Sequence, residues 1–384
     1  MKVLHVIPSI DKIRGGPAEI IVDLVFSLNQ QGIEADLLTT FSENPDYQVV
    51  DYSKIQDRTF LLPRKHFLFY EQYIPDQKDW LLANVSKYQL VHIHSIFNYS
   101  THVAMTTSRL NKIPYILTSH GMLSEYHLNE KKKYLKKLWL SFVDKKNIDQ
   151  VSALHVTALS EEIELKRLLP DLRFKNIPLG LTMPNISVKN KVKHGNLNLL
   201  FISRLNNKKN IPAILEAVLK ATQKGISLNL KIAGEANPGD EDYKKYLQNI
   251  VQDLKIQEHV EFCGFLSGQA KEEVFQWADV FLLPSFYENF GVAVLEALSY
   301  SVPVIISPQV ALSKEVKEFG GGWVTDEAHP QSPDSILKIL ELINQDRKLI
   351  LEESIKARQV AERFSWENNA KALVSLYESI LSKK

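Results

Sequence analysis

The sequence predicts an α/β protein made of two doubly wound parallel sheets. Three observations carry that prediction: short apolar runs alternate with amphipathic stretches along the whole chain; the strand-like runs fall into two series parted by a proline-containing break; and 384 residues exceed what one hydrophobic core usually serves, roughly 100 to 200 residues. Apolar runs with helical patterns between them are what a parallel sheet covered on both faces requires. Two such domains meeting face to face provide a cleft.

In the first series the strand candidates are 3–7 (VLHVI), 35–40 (ADLLTT), 90–96 (LVHIHSI), 114–120 (PYILTSH) and 153–158 (ALHVTA), with a helical pattern over 18–28 among the intervening stretches. The second series holds 197–203 (LNLLFIS), 228–234 (LNLKIAG), 260–265 (VEFCGF), 280–285 (VFLLPS) and 303–307 (PVIIS). Between them, IPLGLTMP at 177–184 and the Lys- and Asn-rich stretch after it break regular structure, so the linker is expected near 178–194. Helical periodicity resumes at Ser335 and closes with Trp366 to Leu381. The expected domains are 1–184, 185–360, and a last helical segment, 361–384, packing back toward the first.

Composition excludes several functions. Lys plus Arg total 46 and Asp plus Glu 45, so the chain lacks the overall basic footprint of a nucleic-acid binder. Cys263 is the single cysteine and fits a reducing compartment. The first ten residues are too short and too strand-like for a signal peptide, and no run of 18 apolar residues occurs, so the expectation is a cytoplasmic protein.

The most informative stretch is 281–298, FLLPSFYENFGVAVLEAL. A buried strand ends at Ser285, a polar turn carries Glu288 and Asn289, and an apolar helix is expected from about Phe290. Asn289 suits the N-cap, which leaves the N–H groups of Phe290, Gly291 and Val292 to attract phosphate. Gly291 lets a ligand approach the backbone. Glu288 and Glu296 would lie about 12 Å apart on a continuous helix, beyond the roughly 5 to 9.5 Å that paired glycosidase carboxylates need. Two acceptor-only carboxylates along a groove suit hydroxyl recognition instead.

The Glu288-x7-Glu296 pattern resembles the retaining glycosyltransferases of family four, which have the GT-B fold of two Rossmann-like domains. The resemblance implies that Glu296 holds the ribose hydroxyls of a nucleotide and Glu288 contacts the donor sugar. The run 201–211, FISRLNNKKNI, is similar to the family's strand, Arg-Leu and Lys-Asn sequence, with Ser203 where glycine is usual. It implies that Arg204 and Lys209 bind the diphosphate, a fork and a point charge facing the leaving group. Gly264 and Phe265 resemble the loop that cradles the base, and Gly234 and Glu235 end their strand in a family-like manner. In the first domain Gly15 and Gly16 resemble the glycine pair near donor and acceptor, followed by Pro17 at the first helical turn. No G-x-G-x-x-G fingerprint accompanies them, which argues against a nicotinamide site. His120, at the carboxyl edge of the first sheet beside Gly121 and Met122, is implied to touch the reacting sugar. His92 and His94 share a strand face. His94 is expected on the acceptor side with Met122, and His92 in the core.

The implied donor is a UDP-sugar, glucose foremost, with the hexose passing to a saccharide or lipid-linked acceptor and its anomeric configuration retained. The TSHGMLSEYHL segment resembles bacterial enzymes that build cell-surface polysaccharide. Asp240-Glu-Asp242 has metal-motif spelling but sits where acids favour a helix N-terminus, and no His/Cys cluster has zinc spacing, so metal-independent chemistry is expected. Residues 131–147 carry seven lysines interleaved with Tyr134, Leu135, Leu138, Trp139, Phe142 and Val143. They read either as an ordinary covering helix or as a face for an anionic membrane, such as the inner leaflet of the plasma membrane. A UDP-sugar epimerase of the same architecture and a non-catalytic sugar-nucleotide-binding partner remain as alternatives.

Overall fold

The structure, a computed structural model, describes residues 1–12, 16–42, 48–67, 70–129, 133–186, 195–236 and 240–383. The chain forms two compact units, one of Met1–Thr182 with Trp366–Lys384, the other of Met183–Ser365. Both are parallel-sheet α/β Rossmann-like domains.

The first unit is built on β1 (Lys2–Val6), β2 (Glu34–Ser42), β3 (Thr59–Phe67), β4 (Tyr70–Tyr73), β5 (Leu90–His94), β6 (Tyr115–Thr118), β7 (Ala153–Val156) and β8 (Phe174–Asn176). Their order is β4-β3-β2-β1-β5-β6-β7-β8, parallel throughout except for the β3–β4 pair. Three of these strands lack a clear apolar run. β3 contains Pro63, Arg64 and Lys65; it is held partly by a buried ion pair of Arg64 with Asp11, 2.6 Å. One face of the sheet packs on the helices Gly16–Gln30 and Trp366–Leu381 through Ile21, Val25, Leu28, Leu373 and Tyr377. The other face packs around Val103, Met105, Tyr115 and Leu165.

The second unit has β9 (Leu197–Ile202), β10 (Leu228–Ala233), β11 (Val260–Gly264), β12 (Val280–Leu283), β13 (Val304–Ile306) and β14 (Gly322–Val324), in the order β11-β10-β9-β12-β13-β14 and all parallel. The winding reverses between β9 and β12 here, and between β1 and β5 in the first sheet. At such reversal points the loops after adjacent strands diverge to opposite faces and leave room for a ligand. Among the candidate residues, His94 lies on β5 at the first point, and Arg204, Lys209 and Glu288 follow β9 and β12 at the second.

Candidate functional site

In the second unit, β9 and β12 lie side by side, and the loops that follow them carry the charged residues. After β9 the chain makes a short turn, Asn207–Lys209, and enters the helix Ile211–Gln223 through Asn210, whose left-handed backbone (φ +54°) this residue type tolerates. After β12 the loop is tied back on two sides. Phe286 N–H donates to the Lys208 carbonyl at 2.8 Å, and Glu288 exchanges backbone bonds with Gln309 and Ala311 beyond β13. These ties bring the Lys209 ammonium onto the Glu288 carboxylate.

Both side chains are largely buried, at 9% and 17% exposure. Burial pushes the Glu288 pKa up, but the Lys209 and Lys208 charges, the Lys209 hydrogen bond and the Arg204 guanidinium outweigh it and hold it below the ordinary carboxylate range. Arg204 itself is exposed. The sequence-predicted cations and the first glutamate therefore form one electrostatic group, with Lys208 added above the Tyr287 ring at 5.0 Å.

The helix that follows starts at Val292, two residues later than expected, and Gly291 rather than Asn289 occupies its N-cap. The cause is the glycine's left-handed φ of +90°, which turns the chain at that point. Val294 and Leu295 donate to the Gly291 carbonyl, and the N–H groups of Phe290, Gly291, Val292 and Ala293 have no backbone acceptor among the described residues. Phe290 contributes only backbone, because its buried ring packs edge-on against Phe364. Glu296 lies within this helix, and its carboxylate is met by Lys271 at 2.6 Å, from the helix Gly268–Trp277. Lys271 had no signal of its own in the sequence. Gly234 is obligatory: at φ +134° a Cβ would stand 1.9 Å from the Ser203 carbonyl oxygen, so only glycine lets the ends of β9 and β10 approach. Gly264 closes β11 at φ +69°, its N–H neighbour Gly234 donating to its carbonyl, and Phe265 follows exposed.

In the first unit the site is a set of histidines at the carboxyl end of one sheet face. His5 on β1, His92 and His94 on β5 and His155 on β7 are buried, and His120 follows β6. His5 Nδ1 lies 3.0 Å from His94 Nε2, and His94 Nδ1 lies 3.2 Å from His120 Nε2. His92 bonds the Tyr377 hydroxyl and Thr118 Oγ1, each at 2.7 Å; Thr118 Oγ1 also meets His155 Nδ1 at 2.9 Å, and His155 Nε2 meets the Ile177 carbonyl at 2.8 Å. His94, expected against the acceptor, is 2% exposed with both ring nitrogens engaged, so its direct place is behind His120. Burial lowers all five pKa values, to about 3 for His5 and His120 and about 4 for His155. His5, His92 and His94 bring ligand-type nitrogens within 4.8 Å of one another, and all of these but His5 Nε2 are engaged in the bonds just described.

The His120 loop has its own organiser. The buried Glu161 carboxylate accepts from the Ser119 hydroxyl (2.9 Å), the Gly121 N–H (3.0 Å) and the Thr157 N–H (3.1 Å), holding His120 at φ +50°. Met122 is half-buried, its sulfur 3.0 Å from Ser95 Oγ. Gly16 opens the helix Gly16–Gln30; Gly15, like Lys131 and Lys132 of the lysine-rich run, lies outside the described residues. In the rest of that run Tyr134 (70%), Leu135 (62%), Leu138 and Phe142 (80%) are exposed. The covering-helix expectation holds there only for Leu140 and Trp139, which pack half-buried on the core and on His102, while neither Lys133–Leu138 nor Trp139–Val143 fully buries a residue. No described helix is long and apolar enough to cross a membrane.

Comparison with known proteins agrees over both units. The family model described as Glycosyl transferases group 1 matches residues 182–360, and the one described as Glycosyltransferase Family 4 matches residues 14–168. An uncharacterized glycosyltransferase of Methanocaldococcus jannaschii is 27% identical over 96% of this chain and 95% of its own. Among solved structures, sucrose-phosphate synthase from Thermosynechococcus elongatus superposes with a TM-score of 0.79 at 18% identity, covering 100% of both chains. Anabaena HepE in complex with UDP and glucose gives 0.77 at 17%, covering 99% of this chain and 100% of that one. With glycosyltransferase matches on each of its Rossmann-like domains and GT-B enzymes as structural neighbours, the chain belongs to the family four glycosyltransferases.

Proposed function

We propose that the enzyme transfers a hexose, glucose foremost, from a UDP-sugar to a saccharide or lipid-linked acceptor, with retention at the anomeric carbon. The observation that carries this reading is the grouping of Arg204, Lys209 and Glu288 at the reversal point of the second sheet. A diphosphate is met there by a guanidinium, an ammonium and the N–H groups at the start of the helix Val292–Ser299, which stabilise the charge that develops as the glycosidic bond breaks. Glu288 orients the donor sugar, and Glu296 accepts from the ribose hydroxyls. The phosphate charge is met by side chains and helix, so the reading routes no step through a metal ion. Anabaena HepE, in the same fold, was solved with UDP and glucose. His120 and Met122 serve the first unit's side of the reaction.

The test is turnover and binding with a panel of UDP-, GDP- and ADP-sugars, wild type against Arg204→Ala. UDP-glucose should bind and be turned over in the presence of crude saccharide or lipid acceptors. Arg204→Ala should weaken UDP about 10- to 100-fold, the worth of a charge-assisted hydrogen bond. A folded protein that binds no sugar nucleotide sinks the proposal, and a product made without any acceptor turns it to epimerisation.

The exposed apolar and lysine-bearing face at 133–146 favours an acceptor held at an anionic membrane, on its cytoplasmic side. Sedimentation with phosphatidylglycerol-containing vesicles, but not with pure phosphatidylcholine, is expected, and Leu135→Ser with Phe142→Ser should abolish it. Equal sedimentation of the two proteins would exclude this face.

A further inference from the structure

The buried histidines form two hydrogen-bonded branches, and the protons of one can be placed from its end point. The Ile177 carbonyl can only accept, so His155 donates to it from Nε2 and, as a neutral ring, keeps a bare Nδ1. That nitrogen accepts from the Thr118 hydroxyl, whose oxygen accepts in turn from His92 Nε2–H. The bare Nδ1 of His92 then accepts from Tyr377, whose hydroxyl burial keeps protonated. Every donor in this branch has an acceptor.

The second branch, His5 to His94 to His120, has two senses. If protons point inward from His120, His94 donates from Nε2 to His5 Nδ1, and His5 must carry its own proton on Nε2. That atom is buried with no hydrogen-bond partner, so the inward order strands an N–H. If they point outward, His5 donates from Nδ1 to His94 Nε2, His94 donates from Nδ1 to His120 Nε2, and only a lone pair on His5 is left over. A buried N–H without an acceptor is the rarer and costlier defect.

We propose that His5 and His94 are positioning residues whose outward proton order fixes His120 with a bare Nε2 and a protonated Nδ1. His120 then meets the substrate as a hydrogen-bond donor to an oxygen, never as a base. This deepens the reading of His120 as a substrate contact and rests on it. Each part of the arrangement serves that end. His120 lines a small cavity of about 10 Å³, room for one water, with Pro17, His94, Leu179, Trp366 and Asn369. Its backbone is held by the Glu161 bonds to Ser119 and Gly121, which fixes where the ring stands relative to His94. The rings stay neutral around neutral pH because burial depresses their pKa values, so each carries one proton and the chain transmits one order. No covalent bond changes hands, and the protons stay on their rings.

The experiment is long-range nitrogen–proton correlation NMR of histidine-labelled protein at neutral pH, joined to steady-state kinetics with UDP-glucose. In wild type, His120 should show a protonated, pyrrole-type Nδ1 and a pyridine-type Nε2. His94→Leu deletes the donor that faces His120; the Nε2-protonated tautomer should then appear beside the other, and kcat should fall in proportion to its share, about twofold or more, while the donor KM stays within about twofold. His94→Asn places an amide N–H where the Nδ1–H stood and should restore the single tautomer and most of the turnover. A wild-type His120 protonated on Nε2 overturns the proposal, as does His94→Leu with an unchanged His120 spectrum. The wild-type spectrum decides the sense of the chain even if the leucine variant does not fold. It also stands apart from turnover: an inactive protein with the outward order defeats the transferase reading and not the proton order.

Discussion

Replacing Lys209 by methionine keeps most of the buried stem and deletes the charge that meets Glu288. Removing one partner of a buried ion pair costs about 3 to 5 kcal/mol. Glu288 retains some exposure and the neighbouring charges of Lys208 and Arg204, so the expected loss at pH 7 is smaller, about 2 to 4 kcal/mol. In a domain of this size each kcal/mol moves the midpoint about 2 to 4 °C, which puts the drop in the second unit at about 4 to 16 °C. Its pH dependence follows from the depressed Glu288 pKa. The stabilisation is fully present above the unfolded glutamate value of about 4.3 and disappears as pH falls through the lower folded value. In the variant, burial is no longer outweighed by as much positive charge, and the carboxyl resists ionisation. The gap between the two proteins should therefore widen from small values in acid to its full size at neutral pH. Calorimetry of both proteins across the carboxylate range tests this. A midpoint loss that is equal at every pH, or under about 1 °C at pH 7, would refute the reasoning.

Three further outcomes are expected. Glu296→Ala should erase discrimination between UDP and its 2′-deoxy counterpart, about tenfold in wild type, in a calorimetric titration; a preserved ratio removes Glu296 from the ribose. Gly234→Ala, with its methyl driven into the Ser203 carbonyl, should lower the midpoint of the second unit by several degrees or abolish folding, and a wild-type melt would contradict the contact. Acid should weaken the first unit: the unfolded chain takes up protons on histidine below about pH 6.5 that the folded His5, His120 and His155 refuse, so stability falls as pH falls. At about 2 kcal/mol per histidine between pH 7 and 5, the first unit's midpoint should drop by about 10 °C or more, and equal midpoints at the two pH values would refute the neutral cluster.

The sheets were legible where strands are long and apolar; Arg204, Lys209, Glu288 and Glu296 stood out only through the motifs that contain them, since a charge after a strand or on a helix is by itself an ordinary surface residue. β3 was not legible, since its Arg64 is tolerated only through Asp11, fifty-three residues earlier in the chain. β8 and β14 are three residues each, too short for a period to register. The helix start after Gly291 was misplaced because asparagine is the commoner cap, and the glycine's left-handed turn shows only in the backbone. Lys271 and Glu161 act across long separations and look like surface charges in sequence. The histidine cluster did leave a trace: VLHVI, LVHIHSI and ALHVTA each carry histidine within an apolar run, and pairing those runs in register would have joined them.

The first unit cannot be finished until the whole of the second has been made. Its helix Trp366–Leu381, which supplies Tyr377 to His92, leaves the ribosome after the whole of the second unit. At the usual pace of translation, Tyr377 follows β8 by about 10 to 40 s, during which one face of a nearly complete sheet lacks its cover. Nascent-chain chaperones therefore have a window specific to this domain, and a message truncated just before the last helix would yield a protein with a finished second domain and a sticky, degradable first one.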